Sequence, residues 1–538
     1  MEAVFLFAHY FFPKYFKTGY NSHTPINLWK SMEVIRMTTD NYPQPGGTGG
    51  GKSSPRDSGN HSLYDGLTTG KRRQILAAIA LGTFMAPLDS SVVNIALPAI
   101  RSFFQTSLGT VEWVVMSYLL VISSLILTYG RMGDLYGHKK IYLTGFTVFT
   151  SGSLLCGFAP TILALILFRA LQAIGAGMMM AMGPAIITDI TPPQHRGKSL
   201  GVVAMTVSIA LTTGPVLGGY LTAKFGWPSI FFINIPIGII ATLWAWKVIP
   251  DIKGRSAEPF DLKGAVLIFT ALILILLPLS YTEQAGWLNP FILGPLAAGL
   301  VLLLVFILME KKIKYPMVDM TIFENRVFTM GNLSALINFI STFSVILLLP
   351  FYLMQLRLLP AEQAGLLMTP TPLMMIVISP FAGVLSDKID SRYLSSLGMA
   401  INTVGLFMLS RLQTDTPVLT IVIISIIIGI GAGLFTTPNN SAVLGAVPPN
   451  RRGIASGILA NMRNVGMVLG VAISGALFSS RQEYLNRVFT AQGMVPAEVQ
   501  SQAFIGAMQF TFLFAAILAL VVVFTSLVRG PANGRTSG

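Results

Sequence analysis

A chain of 538 residues in which 53% are apolar and only 11% charged carries far fewer ionisable groups than the roughly one quarter usual in soluble proteins, which excludes an array of water-soluble domains. The net charge of +14 does not mark a nucleic-acid binder, because Lys and Arg fall in short clusters between apolar stretches and not along one polar face. Cys156 is the only cysteine, so an intramolecular disulfide is impossible and a cysteine-based metal site is not expected.

Residues 1–72 read as a disordered tail, since the stretch from Asn41 to Gly70 is rich in Gly, Ser, Pro and Asp and cannot build a core, while the first 36 residues are unusually aromatic. The apolar run from Ala3 to Phe12 is too short to cross a membrane, and Glu2 stands where a signal peptide carries positive charge, so no cleaved signal is expected. Met37 opens a more usual polar leader and is the expected translation start. An intact N-terminal peptide from before Met37 in mass spectrometry would refute that. Runs of about 20 apolar residues, the length that spans a bilayer, then follow near 73–99, 109–129, 140–158, 161–182, 199–221, 229–249, 264–281, 290–309, 329–352, 365–386, 393–411, 417–438, 453–478 and 506–528. The expectation is fourteen spans.

Lys and Arg in short loops stay on the cytoplasmic side. Seventeen of them follow even-numbered spans and six follow odd-numbered ones, and Lys71, Arg72 and Arg73 precede the first span, so both termini are expected in the cytoplasm. The block Ile174-Gly175-Ala176-Gly177, Pro192-Pro193 and Arg196-Gly197 recurs as Ile430-Gly431-Ala432-Gly433, Pro448-Pro449 and Arg452-Gly453, each element displaced by 256 residues. Gly130 and Asp134 likewise recur as Gly383 and Asp387. The larger period runs from the end of span 4 to the end of span 12, an even number of crossings, so the copies are parallel repeats of six spans. The expected organisation is a cytoplasmic N-terminal tail (1–72), a first six-helix bundle (73–249), two inserted helices (264–309), a second six-helix bundle (329–528) and a short cytoplasmic tail (529–538).

Between spans 2 and 3 lies Gly130-Arg131-Met132-Gly133-Asp134-Leu135-Tyr136-Gly137-His138-Lys139-Lys140. Its glycines allow a tight turn and close helix approach, Asp134 suits helix N-terminal amides or an Arg, and Lys139 and Lys140 anchor the cytoplasmic surface. Two parallel six-span halves bearing this segment resemble the major facilitator superfamily, and the inserted central pair resembles its fourteen-span drug:proton antiporter family. Three more segments carry the resemblance: Leu88 through Asn94 to Pro98, Trp113 through Tyr118-Leu119, and Phe232 through Gly238. It covers roughly residues 73–528, with Leu135, Glu112, Pro228 and Ala210 as departures from the family pattern. The resemblance implies an all-α integral membrane fold and identifies Gly214-Pro215-Val216-Leu217-Gly218-Gly219 as the exporter motif, in which Pro215 removes a backbone donor and the glycines admit a neighbouring helix. Pro215 has become Val471 in the second half, so that motif belongs to the first half alone.

Ionisable groups within spans are functional suspects, because burying one unpaired costs at least about 2.5–3.5 kcal/mol. Asp89 in span 1 and Arg169 in span 4 lie at similar depth, within pairing reach. Two roles stay open for Asp89: the protonation site that couples proton entry to export, and a permanent counter-ion to Arg169. Arg463, flanked by Asn461 and Asn464, falls near the midplane of span 13 with no acidic partner evident in the second half. It either steadies anionic substrate groups or bonds helix carbonyls. Asn94, Arg169, Asn461, Arg463 and Asn464 are thus the substrate-cavity candidates. Met178, Met179, Met180 and Met182 with Phe84 suit an adaptable apolar cavity, although ordinary packing accounts for them better. Glu112, Asp189 and Glu362 read as peripheral acids, and His138 and His195 as surface residues.

No phosphate-binding glycine loop, metal cluster or nucleophile constellation is present in the sequence, so neither a cofactor nor ATP-driven transport is expected. The expected activity is proton-coupled export of hydrophobic or amphipathic small molecules across the cytoplasmic membrane, not enzymatic turnover. The alternatives are proton-coupled import of a specific metabolite and a non-transporting receptor or assembly protein. The expected partners are a small-molecule substrate, protons and the lipid bilayer, with accessory export proteins as further candidates, no nucleic acid, and a monomeric state.

Overall fold

Polar residues between the apolar runs set where helices begin. Side-chain oxygens of Thr68, Ser107, Thr161, Asn289, Asn325 and Asp390 accept from the backbone N–H of Lys71, Thr110, Ala164, Phe291, Val327 and Arg392, satisfying donors that every helix start leaves unpaired. The computed structural model describes residues 67–191, 196–251, 261–279, 281, 289–313, 320–448 and 452–530. Most of the expected N-terminal tail, with Met37, and most of the expected C-terminal tail lie outside the described residues.

The described residues form α1 (Thr69–Phe104), α2 (Leu108–Tyr136), α3 (His138–Gly157), α4 (Ile162–Ile190), α5 (Arg196–Phe225), α6 (Ser229–Phe232), α7 (Asn234–Val248), α8 (Leu262–Leu279), α9 (Pro290–Glu310), α10 (Arg326–Phe351), α11 (Ala361–Met368), α12 (Pro370–Lys388), α13 (Ser391–Leu409), α14 (Val418–Gly445), α15 (Arg452–Ala491) and α16 (Pro496–Val528). Each expected span falls on one of these helices or on a consecutive pair. Among the described residues, ten segments are long and apolar enough to cross a membrane: α1, most of α2, α4, α6–α7, α9, α10, most of α11–α12, α14, most of α15 and α16. The other four expected spans coincide with α3, α5, α8 and α13. The apolar part of α8 is short, Lys263–Ile275, while Ser, Thr and Gly dilute the apolar content of α3, α5 and α13.

The duplication reappears as a packing pattern. In the first half α1 packs on α4, α5 and α7, α2 on α4, and α3 on α4 and α7; in the second α10 packs on α14, α15 and α16, α12 on α14, and α13 on α14 and α16. The repeated glycines explain why their block persists in both copies. A methyl added at Gly175 on α4 would overlap the carbonyl of Gly145 on α3, and one added at Gly431 on α14 would sit 2.7 Å from that of Gly398 on α13. Small residues are what let membrane helices approach so closely.

The halves meet crosswise, α2 on α15 and α5 on α11 and α12, with a smaller contact between α1 and α10. The inserted helices α8 and α9 pack on each other, and α8 leans on α2 and α15. Phe291, Leu300, Val301 and Leu304 leave α9 with an exposed apolar flank, as a lipid-facing helix requires. We call the side holding the α2–α3 turn the basic face, after its Lys and Arg residues, and the opposite side the far face.

Candidate functional site

Asp89 is placed by α1, which buries it to 1% exposure among groups from four other helices. Arg169 Nη1 on α4 donates to Asp89 Oδ2 at 2.5 Å, and Gln172 Nε2 and Asn234 Nδ2 both donate to Asp89 Oδ1, at 2.9 and 2.7 Å. The carboxylate thus accepts from three side chains on α4 and α7. Arg169, itself fully buried, also donates from Nη1 to Gln172 Oε1 at 2.6 Å and from Nε to the Val114 carbonyl of α2 at 3.1 Å. Its guanidinium carbon lies 4.1 Å from the Tyr118 ring centre, and Tyr118 in turn donates to the Ala86 carbonyl of α1. From α3, Ser153 Oγ accepts from Gln172 Nε2, and Cys156 approaches Gln172 Oε1. One ion pair therefore gathers five helices of the first half, and its hydrogen bonds offset part of the cost of taking two charges out of water.

The structure brings Asp89 and Arg169 together as the sequence predicts, and adds Gln172, Asn234, Ser153 and Tyr118. Gln172 carried a usable signal: three residues beyond Arg169, it shares a helix face with it. Asn94 is buried five residues beyond Asp89, outside this network.

The Gly214–Gly219 run sits beside the same helix. Methyls added at Gly214 and Gly218 on α5 would overlap Ser91 and crowd Val92 and Ile95 on α1, and Ser91 donates to the Leu211 carbonyl of α5 at 3.2 Å. Gly219 faces the other half: a methyl there would meet the Ala361 carbonyl of α11, while one at Gly365 would overlap the Pro215 carbonyl. Two further contacts close the far side. Glu112 on α2 presses its carboxylate on Gly475 of α15, and Arg101 at the end of α1 donates to Gln355 Oε1 at 3.1 Å, just after α10. Glu112, expected to be peripheral, is 2% exposed and lies between the halves, because α2 enters the bundle by the face that meets α15.

The segment after span 2 is not a loop along most of its length. Helix α2 continues to Tyr136, and the reversal is made by Gly137 alone, whose φ of 96° suits glycine. Gly133 permits close approach, since a methyl there would meet Met182 and the His138 ring, whereas Gly130 has open space around it. Lys139 pairs with Asp251 at 3.1 Å, and Lys140 is exposed; the side chains of Arg131 and Asp134 lie outside the described residues. His138 corrects the surface expectation: as the first residue of α3 it is drawn against α4, its Nδ1 2.7 Å from Asp189 Oδ2, with side chains only 12% and 16% exposed. His195 lies outside the described residues.

Met178 and Met179 pack on Gly145 and Met182 on Gly133, so these three serve helix contact. In the second half, Asn461 and Asn464 on α15 are buried and Arg463 is half-buried. Asn461 Oδ1, Arg463 Nε and Asn464 Nδ2 are enclosed without a hydrogen-bond partner among the described residues. Arg529, the first residue of the expected C-terminal tail, is instead buried at the end of α16, donating to Asn439 Oδ1 at 2.9 Å and Ser391 Oγ at 3.0 Å.

The family model described as Major Facilitator Superfamily matches residues 79–321 and 331–537. The riboflavin transporter RibZ of Clostridioides difficile is 36% identical over 76% of this chain and 89% of its own length. The multidrug resistance protein Stp of Mycobacterium tuberculosis is 31% identical over 76% of both chains, and the multidrug transporter protein MdtP of Bacillus subtilis 30% identical over 80% of both. Among solved structures, an inward-facing, unoccupied bacterial homolog of the human lysosomal transporter Spinster superposes with a TM-score of 0.63 at 17% identity, covering 86% of this chain and 99% of its own. The peptide-transporter-family protein PepTSo gives 0.62 at 15% identity, covering the same shares. These two likenesses concern the fold.

Proposed function

The chain belongs to the Major Facilitator Superfamily, whose members are transporters and not enzymes, and from that premise we propose that it is a proton-coupled exporter of hydrophobic or amphipathic small molecules. It works as a fourteen-span carrier of the cytoplasmic membrane, with the basic face and both termini in the cytoplasm, and functions as a monomer. Two six-helix bundles rock about the seam between them, and the α8–α9 pair stands outside it.

The observation that carries this reading is the position of the Gly214–Gly219 run. One side of it lies on α1, two residues from Asp89, and the other lies on α11 in the opposite half. A change at Asp89 therefore has a contiguous route of packed backbone to the far-face seal. Protonation of Asp89 in the outward-open state weakens its hold on Arg169; return to the closed state delivers the proton inward and resets the pair. The electrical part of a proton gradient, about 2.3 kcal/mol per 100 mV, supports more than tenfold accumulation per proton.

Everted vesicles test this. Addition of substrate should release protons from an acidified lumen, and Asp89→Asn should abolish that flux while downhill substrate exchange in proteoliposomes persists. If Asp89→Asn keeps proton-linked export, Asp89 is the permanent counter-ion and coupling resides elsewhere. A second reading, a carrier for one defined metabolite, is favoured by the 36% identity to a riboflavin transporter. A susceptibility screen across diverse compounds, run beside riboflavin flux, separates broad from narrow substrate range.

A further inference from the structure

Arg169 and Arg529, the fully buried cations among the described residues, each have several acceptors, although Arg169 Nη2 and Arg529 Nε have none. Arg169 has Asp89, Gln172 and the Val114 carbonyl, and Arg529 has Asn439, Ser391 and Ser395. The Arg463 guanidinium, by contrast, makes no hydrogen bond, ion pair or ring contact with the described residues; its Nε is enclosed, and one residue on, Asn464 Nδ2 is likewise enclosed without a partner among them. An unsatisfied buried donor is costly and a charge at mid-membrane more so, which makes a helix holding two together suited to an acceptor supplied from outside the chain.

Helix geometry locates them. Arg463 precedes Gly470 by two turns and so lies within about 20° of it around α15, on the side where Gly470 packs against Ile340 and Phe343 of α10. Asn464 precedes Gly475 by three turns, again within about 20°, on the side where Gly475 meets Glu112 of α2. The two donors flank the seam between α10 of one half and α2 of the other. At 1.5 Å per residue they lie about 16–18 Å to the basic side of the Glu112–Gly475 contact. Asn461, three residues before Asn464 on the same face, adds an unpartnered acceptor, its Oδ1.

We propose that Arg463 and Asn464 form an oxyanion subsite in the seam between the halves, taking the carboxylate or phosphate of an amphipathic molecule whose apolar body lies along α10 and α2. The inference rests on the exporter reading only in naming that molecule a substrate. The guanidinium offers parallel N–H groups that match a two-oxygen anion, the Asn464 amide adds a third donor, and Asn461 Oδ1 accepts from a hydroxyl or amide on the same molecule. A permanent cation here also disfavours cationic compounds, which would need an acid that this part of α15 does not provide.

The experiment uses the full chain in phosphatidylcholine nanodiscs and two isosteric probes, pyrenebutyrate and pyrenebutanol, followed by fluorescence anisotropy. The carboxylate should bind at least tenfold tighter than the alcohol, with the ratio falling as salt rises. Arg463→Gln should bring the ratio to about one, Arg463→Lys should keep part of it, and Asn464→Ala should lower it several-fold. Should Arg463→Gln fail to fold, the Lys and Asn464 variants decide by the same ratio. An anionic headgroup offers the same chemistry, so phosphatidylglycerol is then titrated in: displacement of pyrenebutyrate assigns the subsite to lipid, and its retention assigns it to a diffusible amphiphile. A wild-type ratio near one, or one unchanged in Arg463→Gln, overturns the proposal. Proton flux in everted vesicles fails separately, so a wrong exporter reading and a wrong subsite remain distinguishable.

Discussion

Asp89 and Arg169 were legible because charge is rare in apolar sequence and therefore conspicuous. Gln172 and Asn234 were not, since neutral amides are common in membrane bundles and only the fold shows two of them converging on one carboxylate oxygen. Removing either partner of the pair should cost far more than removing a neutral donor. Arg169→Ala leaves a buried carboxylate without its cation and should lower stability by about 3–5 kcal/mol, against about 1–3 kcal/mol for Gln172→Ala. Thermal unfolding of the detergent-solubilised chain, followed by tryptophan fluorescence, ranks the two. In the double variant Asp89→Asn/Arg169→Gln the loss should be smaller than the sum of the single losses, because the two residues share one interaction. His138 escaped the sequence reading for a related reason. Nothing in its basic neighbourhood announces that Asp189, 51 positions later, returns to meet it.

Each expected span lies on a helix or a consecutive pair, those of α3, α5 and α13 included, although Ser, Thr and Gly dilute their apolarity. In α3, α5 and α13 polar and small residues serve contacts with neighbouring helices, so their composition understates their place within the bundle. The segment at Gly130–Lys140 misled by its glycines, which suggest a loop, whereas two of them lie within α2 and only Gly137 turns the chain. The glycines should therefore respond unequally to a methyl. Gly130→Ala, with nothing within 4 Å, should be tolerated. Gly137→Ala is strained by its positive φ and should lose about 1–2 kcal/mol. Gly175→Ala and Gly431→Ala, at equivalent crossings in the two halves, should both reduce folded yield in size-exclusion chromatography, and by similar amounts.

At the scale of the whole molecule, the block repeated at 256 residues announces the matching helix packings of the two halves, but not the crosswise pairing of α2 with α15 and α5 with α11. No periodicity reports which helices of separate halves touch. The pairing makes a prediction about population. Gly365→Leu would drive a side chain into the Pro215 carbonyl and disfavour the far-face-closed state. With Cys156 replaced by Ser and a reporter introduced as Ala361→Cys, labelling by a membrane-impermeant maleimide from the far side should rise several-fold in the Gly365→Leu background. Unchanged labelling would mean that this seam does not govern access. Asp89→Asn should alter the same labelling if the contact run along α5 transmits the state of the pair.

The buried thiol at Cys156 supplies a chronometer of the first half. It has no exposed surface and lies against Gln172, the amide that also holds Asp89. Alkylation of the native chain by a small permeant reagent must therefore await an opening of that interior, and its rate counts those openings without any engineered label. A carrier whose pair stays shut through the cycle would keep a slow, constant rate. One whose pair loosens with each turnover would alkylate faster when substrate and a proton gradient are supplied together than with either alone.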